Sequence, residues 1–224
     1  MSPAQVLVVG ASRGIGLELV RQYRADGVPV VATARDDAGL ARLAALGARP
    51  LRLDVASAAG CAGLAWPIDG EQFDAAWLVA GIYGPRSQGL QAPTEAEFDQ
   101  VMHTNVLAAM RLLPQLGEAL APGGRLAVIS SRMGSLGLRQ SPAGWLYRAS
   151  KAALNSVLKD VSLSLAGRAI CAALHPGWVR TDMGGGGADL TVERSAADLR
   201  ATVARLTPAD NGGFFNHDGQ PLAW

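Results

Sequence analysis

Tyr147 and Lys151 stand four positions apart, within Tyr147-Arg148-Ala149-Ser150-Lys151. At that spacing two side chains share one face of a helix. Leu154, Leu158, Val161 and Leu165 continue the same face, so it is expected to point inward. An unpaired lysine is rarely tolerated on an apolar face. It either snorkels its ammonium to water or serves a chemical purpose. Tyrosine offers that purpose. A free phenol has a pKa of about 10, and a neighbouring cation favours the phenolate and lowers it. A lowered tyrosine pKa suits proton transfer to a carbonyl oxygen near neutral pH.

Two more polar residues stand where such chemistry could use them. Ser131 closes the apolar run Val128-Ile129-Ser130 and precedes Tyr147 by 16 positions. A hydroxyl at the end of a buried strand could bind a substrate oxygen, as oxyanion donors do. Ser130 and Ser135 compete for that role, and Ser131 is preferred. Asn105 lies in the segment from Thr94 to Leu113, which opens on the capping box Thr94 and Glu97. Phe98, Val101, Met102, Val106, Ala109 and Leu112 recur there at helical spacing, and Asn105 falls on their stripe. A buried amide must find partners. Either local backbone satisfies Asn105, or it holds backbone or water at a site.

These residues need a scaffold. Short apolar runs at Val6–Val9, Val28–Thr33, Leu51–Leu53, Ala75–Val79, Arg125–Ser130, Ala169–Leu174 and Phe214-Phe215 alternate with longer amphipathic stretches. Near-continuous apolar strands are buried on both faces, as in parallel sheets. The alternation predicts an α/β fold: a single doubly wound parallel sheet of the Rossmann type, with about seven strands and helices on both faces. Ligands then bind beyond the carboxyl ends of the strands. Residues 1–224 are expected to form one domain, since no linker interrupts them.

The first strand runs into Gly10-Ala11-Ser12-Arg13-Gly14-Ile15-Gly16 and then a helix. Glycines permit a tight turn and close backbone approach, and a helix N-terminus attracts a pyrophosphate. A plain glycine-rich turn is the bland alternative, and its place after the first strand argues against that. The second strand chooses the cofactor. NAD binders usually place a carboxylate at its end, and NADP binders place an arginine nearby. Here it ends in Ala34-Arg35. Arg35 and Arg13 are within plausible reach of a 2′-phosphate, whose oxygens suit a guanidinium fork. Asp36 and Asp37 keep NAD(H) open, but the balance favours NADP(H).

The Gly10, Gly14, Gly16 spacing resembles that of the short-chain dehydrogenase/reductase family. The run Ser130-Ser131-Arg132-Met133-Gly134-Ser135 looks like its carbonyl-reductase-like branch, which includes C-factor-type proteins. The resemblance implies a cofactor site including Gly10, Ser12, Arg13, Gly14, Ile15, Gly16 and Arg35. It adds Asp54 and Val55 at the adenine. Ala80-Gly81 match the end of the family's Asn-Asn-Ala-Gly segment, with Leu78 and Val79 replacing the asparagines. His175-Pro176-Gly177-Trp178-Val179-Arg180-Thr181 carries the next motif. It implies that Pro176, Gly177, Val179 and Thr181 flank the nicotinamide. Asn105 falls at the family's catalytic asparagine, and Lys151 is implied to hold the nicotinamide ribose. Gly213-Phe214-Phe215 and Asp218-Gly219 resemble the family's last strand and turn, so the resemblance spans nearly the whole chain.

The implied activity is that of an NADP(H)-dependent oxidoreductase acting on a small-molecule carbonyl or alcohol. Its catalytic set is Asn105, Ser131, Tyr147 and Lys151, with Tyr147 as general acid/base. A second reading is a cofactor-binding signalling or regulatory protein with little turnover, because fold does not fix function. A methyltransferase would share the glycine turn but has no use for Tyr147 and Lys151 on one inward face. The family also implies a homodimer or homotetramer.

Composition excludes other classes. A net charge of +1 gives no general electrostatic case for nucleic acid or an acidic membrane. No apolar run approaches the roughly 18 residues needed to cross a bilayer, and no signal peptide is legible, so a cytoplasmic location is expected. Cys61 and Cys171 form no CxxC pair and are expected in the core; no metal site is expected from them or from His103, His175 and His217. Met133–Leu146 and Met183–Thr191 are expected to line the substrate pocket, with Trp145 and Trp178 as apolar walls. Gly184–Gly187 reads as a lid or a plain linker.

Overall fold

The computed structural model describes residues 4–224. Seven strands form one sheet: β1 (Val6–Val9), β2 (Val30–Ala34), β3 (Arg49–Arg52), β4 (Phe73–Leu78), β5 (Leu120–Ile129), β6 (Ala169–His175) and β7 (Gly213–Asn216). Their order is β3-β2-β1-β4-β5-β6-β7, and every neighbouring pair is parallel. The helices are α1 (Gly14–Ala25), α2 (Asp37–Ala45), α3 (Ala58–Ala62), α4 (Glu95–Met102), α5 (Ala108–Glu118), α6 (Trp145–Ser164) and α7 (Val192–Arg205). None is long and apolar enough to cross a membrane.

Residues alternate sides along each strand, which divides the core in two. Leu7, Val9, Leu126 and Val128 face Leu112 and Leu116 of α5 and Leu154 and Leu158 of α6. Val6, Val8, Trp77 and Ala127 face Leu19 and Tyr23 of α1 and Leu199 and Val203 of α7. Both cysteines are free and buried in the first of these layers. The doubly wound reading therefore holds.

Strand ends shift for local reasons. β2 starts at Val30, because the Val28 amide donates to Tyr23 O in the turn leaving α1. β3 starts at Arg49 and takes Pro50 into the sheet, which an edge strand tolerates. β5 begins at Leu120, ahead of a register shift against β4, and stops at Ile129. Ser130 and Ser131 thus lie just past its carboxyl end.

The predicted helix from Thr94 to Leu113 needs the larger correction. Its capping box forms, with Glu97 N donating to Thr94 Oγ1 at 3.2 Å and Thr94 N to Glu97 Oε2 at 2.8 Å. It does not run through as one helix. A π-helical turn, His103–Leu107, separates α4 from α5. The wider turn breaks the 3.6-residue phase, so Phe98 leaves the expected stripe and is 47% exposed, while Asn105 stays buried.

Candidate active site

The first turn is tight for steric reasons. At Gly10 (φ +88°) a Cβ would lie 2.6 Å from Ala80 N, and at Gly16 it would lie 2.3 Å from Gly10 O. Only glycine lets β1, α1 and the end of β4 approach this closely. The residue preceding α1, Arg13, makes no side-chain cap, so the first-turn N–H groups of α1 face the cleft without a side-chain acceptor. A pyrophosphate fits that cradle chemically.

At the end of β2 the two acids that kept NAD(H) open are engaged. Asp36 caps α2 by accepting from Gly39 N at 2.7 Å, and Asp37 pairs with Arg52. Arg35 is exposed there. Arg42, which the sequence reading overlooked, donates from Nε to Ser12 O at 3.1 Å. Arg13 turns toward Asp182, 2.7 Å away, in a pair that is exposed on both sides. Such exposed pairs are worth about 0–1 kcal/mol, so this one would yield to a phosphate. Asp54 Oδ1 accepts from Ala56 N at 3.0 Å, and the cap of α3 is Ser57.

Of the predicted tetrad, Ser131 and Tyr147 line one cleft, and Asn105 and Lys151 are buried outside its lining. Asn105 Oδ1 accepts from Ile82 N at 2.8 Å, and its Nδ2 donates to Ile82 O at 2.8 Å and Ser150 Oγ at 3.0 Å. Ser150 in turn donates to Tyr147 O at 2.8 Å. One amide thereby clips the loop after β4 to α6. This is the backbone-holding alternative. A Cβ on Gly81 would stand 3.3 Å from both Asn105 Oδ1 and Lys151 Nζ.

Lys151 is buried and donates from Nζ to Ile129 O at 2.9 Å. Burial pushes its pKa down to about 8. Tyr147 is buried as well, its ring centroid 5.8 Å from Lys151 Nζ. Its pKa is pushed up to about 12, by burial first; the Ser131 hydroxyl pulls it down and Tyr83 adds to the rise. The expectation that Lys151 lowers the Tyr147 pKa is therefore corrected for the chain's own groups. Desolvation dominates, while the Lys151 ammonium is turned to the Ile129 carbonyl.

Of the three serines, Ser135 donates to Ala223 O at 2.7 Å and Ser130 to Asn155 Oδ1 at 2.5 Å. Ser131 Oγ accepts from Met133 N at 3.1 Å and lines the cleft with Tyr147. The cleft holds about 660 Å³, and Ile15, Pro176, Gly177, Val179 and Thr181 form its cofactor-side wall.

Comparison with known proteins now adds to the geometry. Residues 4–189 match the family model described as short chain dehydrogenase. This chain belongs to the short-chain dehydrogenase family. It is 31% identical to the 1-hydroxy-2-glutathionyl-2-methyl-3-butene dehydrogenase of Rhodococcus sp. (strain AD45), over 98% of this chain and 99% of that one. It is 34% identical to the C-signal of Myxococcus xanthus, over 58% of this chain and 80% of that protein. A carbonyl reductase from Pseudomonas aeruginosa PAO1 solved in complex with NADP superposes with a TM-score of 0.86 at 36% identity, covering 98% of this chain and 99% of that one. Within the family, the carbonyl-reductase-like branch is the one these similarities support.

In this short-chain dehydrogenase the cleft wall differs from the substrate wall expected from the sequence. Met133, Leu138, Trp178, Met183 and Gly184 line it, but Trp145 does not; its indole N–H donates to Gln91 O at 2.9 Å. The Gly184 turn is tied down, Trp178 Nε1 donating to Gly184 O at 2.8 Å and Gly185 N to Thr181 O at 2.8 Å. Sequence reading missed Tyr83, which stacks on Tyr147 with centroids 4.5 Å apart and planes at 21°. It also missed Arg86, 5.0 Å above the Tyr83 ring. An aromatic two residues past Ala80-Gly81 was the available signal. His175 lines the cleft too, its pKa pushed down to about 4 by burial, then by His217 and Arg132.

Proposed function

We propose that this chain is an NADP(H)-dependent carbonyl reductase in which Tyr147 is the proton donor. The observation that carries this reading is the buried Tyr147 hydroxyl beside Ser131, in the cleft bounded by the glycine turn and the Pro176–Thr181 segment. With its pKa near 12 the phenol holds its proton at neutral pH, and the occupied cleft would have to lower that value for efficient donation. When bound, a reduced nicotinamide would supply the hydride to the carbonyl carbon.

The chain's own groups do the rest. Ser131 orients and polarises the carbonyl oxygen toward Tyr147. Lys151 lies beneath Tyr147 with one N–H on Ile129 O and holds the nicotinamide ribose with the others. Asn105 keeps the loop after β4 seated against α6. The first-turn amides of α1, with Ser12 and Ile15, receive the pyrophosphate. Asp54, Val55, Ala80 and Gly81 flank the adenine half, and Pro176, Gly177, Val179 and Thr181 the nicotinamide half.

NADP(H) over NAD(H) rests on the missing carboxylate at Ala34, on the two engaged acids, and on Arg13, Arg35 and Arg42 at that end. The NADP-bound Pseudomonas aeruginosa relative points the same way. The similarity to C-signal favours a second reading, a cofactor-binding regulator with little turnover. A cytoplasmic location and a homodimer or homotetramer complete the proposal.

The deciding experiment mixes the protein with NADPH and a broad panel of aldehydes and ketones and follows cofactor absorbance. Turnover that Tyr147→Phe reduces by about 10³-fold or more, with NADPH binding retained, is expected on the scale of general acid catalysis plus lost orientation. Tight NADPH binding with no turnover across the panel would favour the regulator. Arg35→Ala should weaken NADPH by about tenfold or more and leave NADH nearly unchanged, since only the phosphate meets the guanidinium. Equal losses would remove the cofactor preference.

A further inference from the structure

The cleft beside Tyr147 has an uneven charge. Arg86, Arg132 and Arg148 all line it, and no aspartate or glutamate does. None of the three has a carboxylate within 4.0 Å among the described residues, although arginines elsewhere in the fold pair readily, as Arg49 does with Glu71 and Arg194 with Asp198. General basicity does not explain this, because the whole chain carries only +1. Asp182, the acid at the cleft's edge, is engaged by Arg13.

Arg86 is also held in place. Its guanidinium carbon stands 5.0 Å over the Tyr83 ring, and one Nη donates to Met183 O at 2.8 Å. Tyr83 stacks in turn on Tyr147. Guanidinium, ring and ring therefore form one column, which fixes the fork relative to the reacting phenol. A guanidinium has five N–H donors, and this one spends one on the protein. Arg148 uses its Nε on Ala143 O at 2.8 Å, and Arg132 makes no side-chain hydrogen bond among the described residues.

We propose that the substrate is a carbonyl compound bearing a carboxylate, which Arg86 binds while Arg132 and Arg148 supply the surrounding positive field. A planar fork immobilised by stacking is preorganised for a carboxylate and loses little entropy on binding it. A neutral substrate would cover the same guanidinium without replacing its water. Service to the cofactor is the competing explanation. The 2′-phosphate end of the cofactor site already has Arg35 and Arg42, at the end of β2 and on α2, whereas Arg86 leaves the sheet after β4. The inference rests on the carbonyl-reductase reading.

The test compares 4-carboxybenzaldehyde with its methyl ester, which share a skeleton and a reacting aldehyde. NADPH is the donor, and wild type is set against Arg86→Gln. Wild type should prefer the acid by about tenfold or more in kcat/KM, and Arg86→Gln should bring that preference to about unity through KM. NADPH affinity should stay within about twofold, and ester kcat/KM should fall far less than that of the acid, because the ester has no carboxylate for Arg86 to bind. Equal use of acid and ester by wild type would overturn the proposal. So would a preference that survives Arg86→Gln, or a loss of NADPH affinity in that variant. If neither aldehyde is reduced, the carbonyl-reductase reading is what suffers, and binding decides the anion site. Quenching of tryptophan fluorescence by 4-carboxybenzaldehyde should then be tighter for wild type than for Arg86→Gln, and equal affinities would refute it.

Discussion

Replacing Lys151 with methionine should stabilise the protein at neutral pH and destabilise it at high pH. Burial lowers the Lys151 pKa from 10.5 to about 8. At 1.36 kcal/mol per unit, holding the ammonium in the folded chain at pH 7 costs about 3 kcal/mol, an order-of-magnitude figure. Methionine removes that cost and fills most of the volume. It also strips the donor from Ile129 O, 2.9 Å from Nζ, which returns about 1–3 kcal/mol. The net gain at pH 7 is about 1 kcal/mol. Between the folded pKa near 8 and the unfolded value of 10.5, the unfolded chain binds the extra proton, so wild-type stability rises with pH across that window. The variant lacks this rise. Its advantage should shrink above pH 8 and turn into a deficit of about 2 kcal/mol by pH 10.5. Tyr147 is shared by both proteins and titrates later, toward 12. Urea unfolding without added cofactor, from pH 7 to 10.5, reads the difference. A gap between the two proteins that does not change with pH would refute the burial account of Lys151.

Two other perturbations probe the same framework. Asn105→Ala removes three hydrogen bonds at once and leaves Ile82 N and O without their side-chain partner, so urea unfolding should show a loss of about 2–4 kcal/mol. A loss below 1 kcal/mol would mean that the clip between the β4 loop and α6 is redundant. His175 has its pKa lowered to about 4, so between pH 6.5 and 4 only the unfolded chain takes up that proton and stability falls with acid. His175→Leu should remove up to about 1.4 kcal/mol per pH unit of that fall, and an unchanged slope would assign acid sensitivity to other groups.

Much of the architecture was legible because its signals are local. Val6-Leu7-Val8-Val9 running into Gly10, Gly14 and Gly16 specifies a strand, a turn and a helix through nearest-neighbour sterics. The spacing of Tyr147, Lys151, Leu154 and Leu158 specifies one inward face through helix geometry alone. The break at His103–Leu107 was not legible, because no residue type announces a π-helical turn; it joins α4, which packs on α6, to α5, which also meets β4 and β5. Only the folded chain could show that Asn105 spends its amide on Ile82 and Ser150, since those partners come from elements 23 and 45 positions away.

The electrostatics needed the fold even more. Sequence places a cation next to a phenol and predicts a lowered tyrosine pKa. The structure buries both groups and turns the ammonium to Ile129 O, and desolvation reverses the sign. Residue type supplied the arginines at 86, 132 and 148 without a hint that they line one cleft, because they come from the loop after β4, the turn after β5 and the first turn of α6. The sequence by itself determined the doubly wound sheet and the glycine turn, and it put Tyr147 and Lys151 on one inward helix face. Tertiary structure alone decided their protonation and the charge of the cleft they face. Hydrophobic pattern and backbone sterics act over a few residues, whereas solvation and Coulomb energies depend on everything packed around a group.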